Sequence, residues 1–234
     1  MKNTMHLLLL LNFCSIAVIG QKLTLGSQSF ELKNITGSIA TLNGENVLKI
    51  QRDLKVLPFD VKNLGSTVDE PTYAKLTDLD FENGAIEVKM LSRIQDPSPF
   101  AAAQGFIGVA FRIDGNDSAY ESIYLRPKVG RSDNQLFRNK TVQYYSYPDY
   151  KFDRLRKEAN DMYETTVPVD INEWITMRIE VIGQKAYMFI NDAKYSNFIV
   201  EKMKGKTTHG SIALWVDIGT IGFFKDLKVT RKQR

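Results

Sequence analysis

The 234-residue chain contains one cysteine, Cys14, and two histidines, His6 and His209. No apolar run approaches the roughly 20 residues that cross a bilayer as a stable helix. No sustained 3.6-residue period marks a long amphipathic helix. Basic blocks are missing too, since 31 Lys and Arg are set against 27 Asp and Glu, a net charge of +4. These absences exclude a disulfide scaffold and any zinc or iron–sulfur site built from Cys and His. They also give no case for a nucleic-acid partner.

The N-terminus accounts for part of the scarcity. Lys2 precedes an apolar stretch made of Leu7 to Leu11, Phe13 and Ile16 to Ile19, and Gly20 offers a small residue before Gln21. This is the pattern of a secretory signal peptide over residues 1–20. Asn12 and Phe13 are not the small residues a lipoprotein signal places before its cysteine. Cleavage would remove Cys14 and His6, leaving residues 21–234 as a single domain, secreted or periplasmic, with no stable membrane span. A thiol nucleophile is then excluded. A Ser-His-Asp triad would have to use His209, in the loop KTTHG. Carboxylates, tyrosines and arginines are left to do any chemistry.

What the chain does contain is short runs of period two, separated by Gly, Asn, Asp and Pro. Ile86, Val88 and Met90 alternate with Glu87 and Lys89 after the turn Glu82 to Gly84. Ile175, Met177, Ile179 and Val181 alternate with polar residues, and Gly183-Gln184 turns the chain into Ala186, Met188 and Ile190. Ile212, Leu214 and Val216 follow, and a last strand runs from about Gly222 to Val229. Regularly spaced hairpins of this kind predict an all-β antiparallel sandwich or jelly roll. Asp149 to Tyr163, DYKFDRLRKEANDMY, breaks the rhythm as a short helix or an ordered loop. Loops of this length are often functional.

Two runs carry a resemblance: NEWITMRIEVIGQKAYMFIND (Asn172 to Asp192) and GSIALWVDIGTIGFFKDLKVT (Gly210 to Thr230). With DFENGAIEVKM, GFIGVAFRI and YESIYLRP upstream, they resemble the concanavalin-A-like lectin/glucanase superfamily over about Leu76 to Val229. Within it, the sequence is most similar to the 3-keto-disaccharide hydrolase, or sugar hydrolase, family. The resemblance implies a jelly roll that binds or cuts carbohydrate on the concave face of one sheet. Laminarinase-like members carry Glu-x-Asp-x-Glu on one strand, which aims three carboxylates at one face. The comparable spacing here, Asp78, Asp80 and Glu82, runs straight into a turn and reads as the wet face of a strand, so that mechanism is not expected.

Alternation then locates the expected sugar face. Gly108, Ala110 and Arg112 share one side of GFIGVAFRI, where the small residues leave room above the sheet; Tyr120, Ser122, Tyr124 and Arg126 share one side of YESIYLRP. Gln143 and Tyr145 add a third strand, and Trp215 with Asp217 a fourth. Flat rings stack on sugars while Arg, Gln and Asp bond hydroxyls. Arg131, Arg138, Asn139, Arg156 and Glu164 add to the density around Arg126, which suits an anionic sugar such as a uronate or, equally, a set of solvent ion pairs. Glu121 and Asp217 are the candidate general acid/base residues. Glu121 shares a side with Ile123 and Leu125, so it is either buried and paired or re-aimed by a bulge. No cofactor is expected. The loop Asp114 to Asp117, DGND, has the oxygens for calcium but reads better as a hairpin turn. Three function classes stand: a hydrolase acting on a glycoside or keto-sugar disaccharide, a non-catalytic lectin-like module, and a structural or adhesion domain whose ligand is a protein.

Overall fold

The computed structural model describes residues 21–232, so the signal-peptide expectation lies outside the described residues. In chain order the strands are β1 (Lys22–Leu25), β2 (Gln28–Lys33), β3 (Ile35–Leu42), β4 (Glu45–Arg52), β5 (Tyr73–Leu76), β6 (Gly84–Ile94), β7 (Ile107–Ile113) and β8 (Tyr120–Leu125). They continue as β9 (Val142–Tyr147), β10 (Glu164–Thr165), β11 (Ile175–Ile182), β12 (Lys185–Ile190), β13 (Phe198–Val200), β14 (Ser211–Val216) and β15 (Thr220–Arg231). The front sheet has the order β1-β2-β5-β14-β7-β8-β9-β10, and the back sheet β13-β12-β11-β6-β15-β4-β3. Every pairing is antiparallel. The fold is the antiparallel jelly-roll sandwich that the alternating sequence predicts. No helix among the described residues is long and apolar enough to cross a membrane.

The back sheet behaves as period two requires. Ile175, Met177, Ile179 and Val181 of β11 are buried and alternate with wetter positions. They oppose Met90, Val88 and Ile86 of β6 and, across β12, Met188 and Ala186. The front sheet does not follow this pattern: β7 and β8 are buried at every position. Ile107, Val109, Phe111, Ile123 and Leu125 fill the space between the sheets. The other side, expected to be an open sugar platform, is roofed by two long connections, residues 53–72 and 148–163. These carry the short helices α1 (Leu64–Thr67) and α3 (Phe152–Glu158), and α2 (Gln135–Arg138) lies in the β8–β9 connection.

Specific bonds tie the roof to the sheet. Trp215 Nε1 donates to the Glu70 carbonyl at 2.8 Å, and the Tyr147 hydroxyl to the Glu70 carboxylate at 3.3 Å. The two connections are also tied to each other: the Phe152 amide donates to the Asp69 carboxylate at 2.9 Å, and Lys151 reaches both the Gly65 carbonyl and the Glu70 carboxylate. Between roof and sheet lies an aromatic layer of Tyr73, Tyr120, Tyr145, Tyr124 and Trp215, with Tyr124 and Trp215 4.9 Å apart and Tyr145 and Trp215 5.7 Å apart. Gly108 leaves no free space here. A Cβ at that position would lie 2.3 Å from the Ile123 carbonyl oxygen and 2.5 Å from Tyr124 Cα, so a side chain is incompatible with this strand pairing.

Candidate pocket on the roofed face

One end of the roofed face stays open. A pocket of about 240 Å³ lies between the roof and β8, with Tyr124, Arg126, Arg156, Lys140, Asp69 and Asp217 in its wall. Phe100, Phe106, Phe137 and Phe152 supply apolar surface around them. The volume is at the small end for ligand sites and suits one sugar ring rather than an oligosaccharide.

Its cationic side is built on a buried cluster. Arg126, at the end of β8, donates to the Tyr124 hydroxyl (2.7 Å), Gln143 Oε1 (3.2 Å), the Lys140 carbonyl (2.6 Å) and Glu164 Oε1 (3.1 Å). Glu164 sits beside Gln143 in the β9–β10 register. Arg156 of α3 grips the same carboxylate through Nε (2.9 Å) and Nη2. Burial works against the Glu164 charge, but Arg156 and Arg126 prevail and hold the carboxyl below its usual range. Glu164 is therefore an anchor for two arginines rather than a proton donor.

Its acidic side combines two buried carboxylates. Asp217 follows β14 and pairs with Arg52 at 2.8 Å, while the amides of Asp69 (2.9 Å) and Ile218 (2.7 Å) donate to it. Burial lifts its carboxyl above the ordinary range, opposed by Arg52 and those amides. No cation among the described residues hydrogen-bonds the Asp69 carboxylate. Burial pushes it to about 7, the Phe152 amide partly offsets this, and nearby Asp217 adds to the rise. A carboxyl titrating near neutrality beside a pocket is suited to give or take a proton.

The expected site residues thus divide by place. Tyr124, Arg126, Arg156 and Asp217 line the pocket, with Gln143 and Glu164 directly behind. Trp215 and Tyr145 are fully buried beneath the roof, where the Tyr145 hydroxyl meets that of Tyr120 at 3.1 Å; no ring face is left for stacking on a ligand. Arg112 lies elsewhere. Its φ of 54° falls at the β7–β14 register shift, and its guanidinium binds the Glu82 and Gly183 carbonyls. Glu121 points into the sandwich, not onto the concave face. It receives the Tyr144 hydroxyl at 2.6 Å and the Gly205 amide at 2.8 Å, and burial pushes its carboxyl to about 7. A Cβ on residue 205 would come within 2.2 Å of Glu121 Oε1, so glycine is what lets that amide approach. Glu121 and Asp217 do not face each other across a cleft.

The remaining candidates are peripheral. Arg131 pairs with Glu173 at 2.8 Å in solvent, Arg138 Nε caps the Ser132 carbonyl, and Asn139 accepts from Gln135. In DGND, Asp114 accepts from Ser118 within the turn, while Asp117 accepts from Tyr73 and Lys75 of β5 and pairs with Lys33 of β2. Asp78, Asp80 and Glu82 lie in a bend rather than on a strand, and Asp80 meets exposed His209 at 2.8 Å. Sequence reasoning missed Asp69 and Lys140. Both lie in connections with no periodicity to mark which way a side chain faces.

Asp69 makes a testable contribution to stability. In the unfolded chain it titrates near 3.8; folded, it holds its proton up to about 7. The native state therefore binds more protons between those values, and this contribution is lost as pH rises through 7. Asp69→Asn keeps an oxygen for the Phe152 amide. Its stability relative to wild type should rise between pH 4 and pH 7 by more than about 1 kcal/mol, then level off. Urea unfolding across that range checks this, and a constant difference would count against it.

No protein-family model and no curated protein matches the chain. Among solved structures it is similar to the carbohydrate-binding module CBM66 of Bacillus subtilis, at 13% identity and TM-score 0.49, covering 84% of this chain and 94% of that one. It is also similar to the Bacillus licheniformis beta-glucanase, at 12% identity and TM-score 0.47, covering 93% and 95% of the two chains. A third is a Bacillus subtilis protein of unknown function with a galectin-like fold, at 10% identity and TM-score 0.45, covering 85% and 90%. These are likenesses of fold at low identity. The 3-keto-disaccharide hydrolase resemblance stays a reading of the sequence.

Proposed function

We propose that the pocket between Tyr124, Arg126, Asp69 and the roof binds carbohydrate, one ring at a time, in an exported protein. The observation that carries this is the combination in one small pocket of apolar ring surface with fixed charged donors and acceptors. Phe106 and Phe152 offer the flat contact a sugar face takes, and Arg156, Lys140 and Asp69 the hydrogen bonds its hydroxyls take. The aromatic layer beneath is structural in this reading.

A second reading, hydrolysis of a glycoside or keto-sugar disaccharide, is favoured by one specific feature. Asp69 is a buried carboxyl lifted to about 7 and open to the pocket, so near neutral pH it is able to protonate a leaving glycosidic oxygen. Asp217, held by Arg52, would act as a fixed negative charge beside it. Glu121, on the interior side, is no part of this arrangement.

The purified protein incubated with neutral, uronate and 3-keto disaccharides and polysaccharides separates the two readings. Thermal stabilisation by at least one sugar is the expected result. Products found by mass spectrometry and abolished in Asp69→Asn would establish hydrolysis. Neither stabilisation nor product from any member would overturn the proposal.

A further inference from the structure

The pocket wall has more positive than negative charge, and the surplus is concentrated on one side. Arg52, Arg126, Lys140 and Arg156 stand in or directly behind the wall, against the carboxyls of Asp69, Glu164 and Asp217. These charges are not evenly matched. Arg52 is spent on Asp217, and both terminal nitrogens of Arg126 are engaged with Glu164, Gln143, Tyr124 and a backbone carbonyl. Arg156 commits Nε and Nη2 to Glu164, which leaves its Nη1 for a ligand. Lys140 forms no ion pair within 4.0 Å with any described residue; it lies half-buried in the pocket wall, near enough to Glu164 to help hold that carboxylate's charge. Lys140 and Arg156 therefore share the wall of a pocket of one-ring size with Phe106 and Phe152, the Arg156 guanidinium lying 4.9 Å from the centre of the Phe152 ring.

Resting on the carbohydrate reading above, we propose that the pocket selects an acidic sugar, a uronate whose carboxylate is received by Lys140 and Arg156. The chemistry is specific. A partly buried cation without a partner leaves part of its desolvation uncompensated, and a ligand carboxylate supplies the missing charge. Charge-assisted bonds to a planar carboxylate are stronger than those to a hydroxyl, and a guanidinium already oriented by Glu164 gives up little freedom in making one more. The ring then packs against Phe106 and Phe152 with its carboxylate toward the cationic side.

Calorimetric titration with the methyl glycosides of glucuronate and galacturonate, of glucose and galactose, and of their 6-sulfates tests this. The uronates should bind roughly tenfold more tightly than the neutral sugars, and less tightly as salt is raised. Lys140→Met, whose lost nitrogen makes no hydrogen bond or close ion pair to a described residue and only adds to the field at Glu164, should unfold near the wild-type temperature. It should lose about tenfold in uronate affinity, with a distinctly smaller loss for the neutral sugars. Neutral sugars binding as tightly as uronates, or unaltered uronate affinity in Lys140→Met, would overturn the inference while leaving a carbohydrate pocket intact. Preference for the sulfates would overturn the carboxylate assignment. If none of the sugars binds, the carbohydrate reading itself fails, and this inference with it.

Discussion

Arg52→Met should lower the unfolding free energy by about 3–5 kcal/mol, the usual cost of removing one partner from a buried ion pair. The substitution strands Asp217, which is 2% exposed and would keep only backbone donors. It also releases three carbonyls of the roof, because the same guanidinium donates to Leu57, Pro58 and Thr67. Methionine keeps the unbranched length but none of these bonds. Denaturant unfolding of the variant measures the loss, and the roof should loosen first, visible as faster amide exchange over residues 53–69. Asp217→Asn removes only the charge from the other side of the pair and should cost less, since its amide oxygen can still accept from the amides of Asp69 and Ile218. A loss below about 1 kcal/mol in Arg52→Met would mean the roof is not held from this point.

Trp215→Ala should cost a comparable amount, about 3–5 kcal/mol, through the cavity left by a fully buried indole. The informative companion is Trp215→Phe. It keeps a ring against Tyr124 and Tyr145 but removes the indole N–H bond to the Glu70 carbonyl, which still accepts from the Thr72 amide, at a cost of about 0.5–1.5 kcal/mol. Had Trp215 been a stacking platform, Trp215→Phe would weaken sugar binding with little effect on stability. The structure predicts the reverse: reduced stability, with affinity at temperatures where the variant is folded staying within about threefold of wild type, well under the tenfold that 1.4 kcal/mol represents. Loss of binding in a variant of unchanged stability would restore the open-face picture.

That contrast shows what alternation in the sequence encodes and what it does not. Ile175 to Val181 and Ile212 to Val216 were readable as strands because one side of each is apolar, and the structure pairs them as such. Glu121 was readable as an interior residue on the same ground, by its register with Ile123 and Leu125. Tyr120, Ser122 and Tyr124 look like a wet face because their polar atoms need partners. Those partners, however, come from Asp69, Tyr145, the Val109 carbonyl and Arg126, and not from water. Period two reports which residues share a side; it cannot report a roof formed by residues 53–72. Asp69 escaped notice for the same reason, its two defining bonds being to residues 83 and 148 positions away. The arginine-rich stretch was legible as density, but only the structure separates Arg126 and Arg156, set at the pocket by Glu164, from Arg131 and Arg138 at the surface.

The most direct test of a sugar pocket under the roof is hydrogen–deuterium exchange, read by mass spectrometry, with and without the tightest-binding sugar of the panel. Slowed exchange should be confined to the segments around Leu64 to Asp69, Phe100 to Phe106, Phe137 to Lys140 and Phe152 to Arg156. Protection centred instead on the exposed face of the back sheet or on the loop around His209, with these four segments unchanged, would contradict it.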